Sequence, residues 1–121
     1  MDYIQEELER LKAKKIELAT RINASTDFDE KEALKEELER IERQIEILEK
    51  LIFLKCIGGR HTSKDNVIKG FPKHERGNIK KELANLIKKG YILQKPTSYG
   101  IEVSINPKML SEIRRLLESN S

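Results

Sequence analysis

A heptad seam that breaks once constrains this chain more than any other feature. Apolar residues stand at Ile4, Leu8, Leu11, Leu18 and Ile22, the alternating four-and-three spacing of a coiled-coil stripe. Lys15 occupies the seam position between Leu11 and Leu18, with Ile16 beside it. The pattern resumes without interruption at Leu34, Leu38, Ile41, Ile45, Leu48 and Ile52. The step from Ile22 to Leu34 is one that no whole number of heptads supplies from those positions. It holds Asn23-Ala24-Ser25-Thr26-Asp27-Phe28-Asp29, rich in cap and turn formers, and both Asp27/Glu30 and Asp29/Glu32 have capping-box spacing. Both stretches lack Gly and Pro and are filled with Glu, Lys and Arg, good helix formers. The pattern predicts two helices, residues 3–23 and 29–57, folded back as an antiparallel hairpin. One long helix with a stutter is the competing reading.

Ile16, Ile47 and Leu51 widen the apolar stripe beyond what two helices need from each other, so a homodimer through the N-terminal helices is expected. Runs such as Glu36-Glu37-Leu38-Glu39-Arg40 read as the solvated face of a helix. In 121 residues, 37% are hydrophobic and 37% charged, with no Trp. That share suits long solvated helices joined to one small compact unit. Its Lys, Glu and Ile richness is thermophile-like.

Net charge divides the chain. Residues 1–50 hold 10 Lys and Arg against 15 Asp and Glu, whereas residues 51–121 hold 14 against 6, a change from −5 to +8. Such asymmetry suggests a nucleic-acid-binding part tethered to a part with another task. The acidic front half does not suit a membrane surface. With no apolar run of bilayer length and an acidic, amphipathic N-terminus unlike a secretory signal, a soluble cytoplasmic protein is expected. The glycosylation sequon Asn23-Ala24-Ser25 then counts as chance. The single Cys56 excludes an internal disulfide and reads as a small buried side chain at a helix end.

The stretch Leu51-Ile52-Phe53-Leu54-Lys55-Cys56-Ile57 is too apolar all round for a two-stranded seam, so it should enter a globular unit, ended by Gly58-Gly59. Arg60-His61-Thr62-Ser63 leads to a short helix over residues 64–69, with Ser63 as N-cap and Val67 and Ile68 inward. Gly70-Phe71-Pro72 turns into a helix over residues 73–89, with Ile79, Leu83, Leu86 and Ile87 in one stripe and Gly90 closing it. Residues 91–95 and 101–105 read as strands of a β-hairpin whose loop is Pro96-Thr97-Ser98-Tyr99-Gly100. Asn106-Pro107 opens a last helix with Met109, Leu110, Ile113, Leu116 and Leu117 on its apolar side. The fold class is therefore mainly α with a small β-hairpin: a helical hairpin over residues 1–50, then a compact unit over residues 51–121.

This order of helix, short extended piece, helix, helix, hairpin and helix resembles a winged helix-turn-helix domain, over residues 51–105. Phe71-Pro72-Lys73-His74-Glu75-Arg76-Gly77 and Lys95-Pro96-Thr97-Ser98-Tyr99-Gly100 are also similar to segments of short archaeal coiled-coil/winged-helix proteins, a likeness that brings no known activity. The winged-helix resemblance implies binding of double-stranded DNA, with the third helix in the major groove and the wing at backbone or minor groove. Helical projection puts His74, Asn78, Lys81, Asn85 and Lys88 opposite the apolar stripe, with Gly77 on the same face. Lysines there would neutralise phosphates, while Asn and His can also bond base edges. Lys73 and Arg76 flank that row, and Lys95 and Tyr99 fall at the wing. Between Arg60 and Lys95, ten Lys and Arg face three acidic residues. Transcription regulation, DNA organisation or a replication accessory role would follow. A protein adaptor using both parts as docking surfaces is the alternative, and an RNA binder a third, disfavoured by scarce aromatics. His61 and His74 lack companions at metal-ligand spacing, and no nucleophile elbow, P-loop or dinucleotide fingerprint is present. No enzyme, cofactor or small-molecule ligand is expected.

Overall fold

The computed structural model describes residues 2–109. Helices α1 (Asp2–Ala24) and α2 (Phe28–Phe53) come first. Then follow β1 (Thr62–Ser63), α3 (Lys64–Lys69), a 3-10 turn at Lys73–Glu75, α4 (Arg76–Lys88), β2 (Ile92–Thr97) and β3 (Gly100–Ile105).

The seam does what its spacing predicts. Leu8, Leu11 and Leu18 of α1 and Leu34, Ile41, Ile45 and Leu48 of α2 are all buried. Lys12 pairs with Glu49 and Lys15 with Glu42, each at 3.4 Å, so numbers rise on one helix as they fall on the other. The two helices are thus antiparallel. Lys15, the charge at the seam position, escapes burial by reaching Glu42 at the surface. The turn follows from Asp27, whose carboxylate caps α2 by accepting from the Glu30 amide at 3.1 Å.

Helix α2 stops at Phe53, four residues short of the expected end, and Gly58 is not what stops it. Lys55 adopts φ +57°. With Lys55 left-handed, its amide bonds the Ile52 carbonyl and the Cys56 amide bonds that of Leu51, both at 3.0 Å. This is the Schellman closure, with a lysine where glycine is favoured. Gly90 closes α4 in the same manner at φ +84°, as expected.

One helix serves both parts of the chain. The seam side of α2 packs on α1, while Ile47 and Leu51 point into the compact unit. There they join Val67, Ile79, Leu83, Leu86, Ile92, Val103 and Ile105 in a single core. No linker separates hairpin from unit.

The three strands form an antiparallel sheet in the order β1-β3-β2. Thr97 pairs with Gly100, so the connection is the two-residue turn Ser98-Tyr99, not the expected five-residue loop. Pro96 therefore lies within β2, where it is tolerated because β2 is the sheet's edge. At the other end of β3, the Ile105 amide bonds the Cys56 carbonyl and the Gly58 amide bonds the Ile105 carbonyl, both at 2.9 Å. The segment leaving α2 is thereby fastened to the sheet. Residues 107–109 are helical; Leu110, Ile113, Leu116 and Leu117 of the expected last helix lie outside the described residues. Among the described residues, no helix is long and apolar enough to cross a membrane.

Candidate nucleic-acid interface

Helix α4 is set by three anchors. Pro72 opens the 3-10 turn that precedes it. Arg76 folds back so that its Nε donates to the Phe71 carbonyl at 3.0 Å and its Nη2 to the Lys69 carbonyl at 3.1 Å. Lys50 of α2 lies over the Phe71 ring, 5.2 Å from its centroid. A side chain at Gly70 would meet only the flexible end of Lys50, so the cation over Phe71 would have to shift to admit one.

The inner face of α4 carries Ile79, Leu83 and Leu86, each essentially fully buried. Beside them lies a buried polar contact. Glu82, only 2% exposed, accepts at Oε1 from Gln44 Nε2 and from Asn85 Nδ2, both at 3.1 Å. Arg40 Nε approaches the same oxygen at 3.8 Å. No buried side-chain polar atom among the described residues is left without a partner.

The outer face presents Gly77, Asn78, Lys81, Ala84 and Lys88, all exposed. Along its crest, Gly77, Lys81, Ala84 and Lys88 follow at four-three-four spacing, so small residues alternate with lysines. Nothing inside the protein asks for Gly77, since a Cβ there would meet no atom within 4 Å. A helical glycine costs about 0.5–1 kcal/mol relative to alanine. Here it leaves backbone open toward the outside, between cations.

The structure divides the sequence-predicted residues. Asn78, Lys81 and Lys88 share the exposed face of α4, and Lys73 and His74 stand exposed on the turn before it. Lys95 is exposed on β2, and Tyr99 is 100% exposed at the hairpin tip. Tyr99 is held there by Thr97, whose Oγ1 accepts from the Tyr99 amide at 3.2 Å and donates to the Gly100 carbonyl at 2.8 Å. Two residues do not join them. Arg76 is half-buried and committed to the α3 and loop carbonyls, and Asn85 is turned to Glu82. Projection placed Asn85 outward because it treats every polar residue as solvent-seeking; the buried carboxylate reverses that. Ala84 was passed over because it bears no chemistry of its own.

Other reactive side chains are quiet. Burial pushes the Cys56 thiol up, against a smaller lowering by Arg60, which keeps it protonated and a poor nucleophile. His61 Nδ1 sits 3.6 Å from Glu102 Oε2. Among the described residues, no cluster of His, Cys, Asp and Glu could hold a metal ion.

No protein-family model matches this sequence, and no characterised protein or solved structure shows significant similarity to it.

Proposed function

We propose that the compact unit is a winged-helix module that binds double-stranded DNA, with α4 entering the major groove and the Ser98-Tyr99 turn meeting the duplex backbone or minor groove. The observation that carries this reading is the crest of α4. A duplex needs cations for its phosphates and a close backbone approach to its groove. Lys81 and Lys88 supply the first, and Gly77 and Ala84 permit the second. The element order from α2 to β3 and the pairing of β1 with β3 support the winged-helix assignment. A fully exposed aromatic at the tip of the hairpin, with exposed Lys95 further along β2, supports the role of the turn.

The hairpin is proposed to join two copies of the chain. Ile16 supports this, being 68% exposed on the side of the hairpin away from α4 and flanked by Lys12, Lys15 and the α2 carboxylates Glu42, Glu46 and Glu49. Two modules on one dimer would act in transcription regulation or DNA organisation, since linkage raises the effective concentration of the second contact.

Salt-titrated binding of the full chain to random duplex, single-stranded DNA and RNA tests the reading. Tightest binding to duplex, falling steeply with salt, is expected. Absence of duplex binding at low salt would instead leave protein docking, for which Phe53, 83% exposed at the end of α2, offers an anchor.

A further inference from the structure

Helix α2 turns opposite sides to α4 and to the flank that carries Ile16. Gln44, Ile47 and Leu51 are buried on the side of the compact unit, where Gln44 bonds Glu82 of α4. Glu42, Glu46, Glu49 and Phe53 stand on the flank shared with Lys12 and Ile16 of α1. At 3.6 residues per turn the two sets lie about 160° apart around the helix. Helix α4 repeats the arrangement. It meets α2 through Glu82 and Leu86, and the crest of Gly77, Lys81, Ala84 and Lys88 lies about 150° round from them. The crest and the Ile16 flank therefore face away from each other, with α4 and α2 between.

That flank is apolar at its centre and at both ends. Among the described residues of the hairpin, Ile16, Phe28 and Phe53 are its most exposed large apolar side chains. Phe28 opens α2 and Phe53 closes it, about 37 Å apart and nearly seven whole turns round, so they share a side. The Lys15–Glu42 pair sets Ile16 within about one turn of the midpoint between them. A two-fold axis through Ile16, lying across the hairpin, brings Phe53 of each copy level with Phe28 of the other. Two helices wide, a face of this length offers about 700 Å², near the roughly 800 Å² that each partner of a stable pair buries. Lys12 and Lys15 answer Glu49 and Glu42 within the chain, so a second copy meets no strong field of its own sign.

On the duplex-binding and pairing readings given above, we propose that the paired protein is a bridge, whose two α4 crests hold two separate duplex segments. The two-fold axis of such a pair lies within its interface, so what faces outward on one copy faces the opposite way on the other. Each crest is on the far side of its chain from that interface. Neighbouring half-sites on one straight duplex would need both crests on the same side. The activity that follows is the juxtaposition of distant stretches of DNA, which places the protein in DNA organisation.

The test offers the full chain a short random duplex fixed on beads and a second, fluorescent duplex free in solution. The parent chain should carry the fluorescent duplex onto the beads. The Ile16→Glu variant should lose at least about tenfold in capture, yet bind a single duplex within about twofold of the parent affinity, because each module works on its own segment. Ile16 is exposed, so this variant should melt like the parent in dilute solution. Phe28→Ser/Phe53→Ser, which changes the same face at its two ends, should lose capture as well. A dimeric parent that binds duplex but captures no second one, with affinity falling about a hundredfold or more in the Ile16→Glu variant, would mean that both modules clasp one duplex. That result overturns the bridge and leaves pairing and duplex binding standing. Capture by the Ile16→Glu variant equal to the parent's overturns it too. A parent chain that is monomeric in light scattering, or that binds no duplex at low salt, removes the reading beneath the proposal and the proposal with it.

Discussion

Gln44 of α2 and Glu82 of α4 meet across 38 positions of sequence in a buried hydrogen bond of 3.1 Å. Together with the buried stripe of Ile79, Leu83 and Leu86, this contact turns one face of α4 inward and leaves the crest outside. Removing the carboxylate by Glu82→Ala strands the Gln44 amide in the interior and should cost about 2–4 kcal/mol. Glu82→Gln, which keeps an acceptor, should cost less. Urea unfolding should show the loss as a lower midpoint with an unchanged slope.

The same contact shows where the sequence is legible and where it is not. Seam positions, the Asp27 and Ser63 caps, and the Gly90 stop depend on neighbours within a few residues, and each was readable from local pattern. Asn85 was not, because its orientation depends on the buried Glu82 carboxylate, whose other partners, Gln44 and Arg40, lie on a helix far away in sequence. The hairpin register was missed for a related reason. Pro96 reads as a loop residue until β2 is known to be an edge strand. Helix α2 runs across residue 50, and Ile47 and Leu51 on either side of it share one core, a continuity that local pattern does not reveal. The outer face of α4 was legible apart from Asn85, since a solvent-facing row needs only the helical period.

Lys55 holds a left-handed backbone with a side chain that resists it. Lys55→Gly should raise stability by about 1 kcal/mol, the left-handed penalty less the extra freedom of glycine in the unfolded chain. The change should appear in thermal melting. No effect on duplex binding is expected, since Lys55 lies at the end of α2, away from the crest.

Glu46 has its carboxyl pKa raised, first by burial and then by Glu75 and Glu42, with Arg43 opposing. A carboxylate with a raised folded-state pKa weakens the fold where it is ionised, and the penalty fades as pH falls through that raised value. Glu46→Gln should therefore stabilise the protein at pH 7, by no more than about 0.5 kcal/mol for so exposed a site. The advantage should vanish below about pH 4.5. Stability measured against pH for both proteins checks the sign.

The proposed pairing of two copies rests on Ile16. Light scattering on the parent chain should give twice the chain mass. Ile16→Glu should give the monomer mass with little change in melting temperature in dilute solution, since Ile16 packs little within its own chain. A monomeric parent chain at high concentration would contradict the pairing.

The most direct measurement is the salt dependence of duplex binding by Lys81→Ala/Lys88→Ala, with Leu83→Ala as the folding control. The two lysines are exposed, so stability should stay within about 0.5 kcal/mol of the parent. Leu83, fully buried on the opposite face, should cost about 2–5 kcal/mol when truncated. If α4 enters the duplex, the double variant should bind every duplex more weakly, with a slope smaller by about 1.8 in log–log form. An affinity and a salt slope equal to those of the parent chain would mean that the crest of α4 does not face DNA.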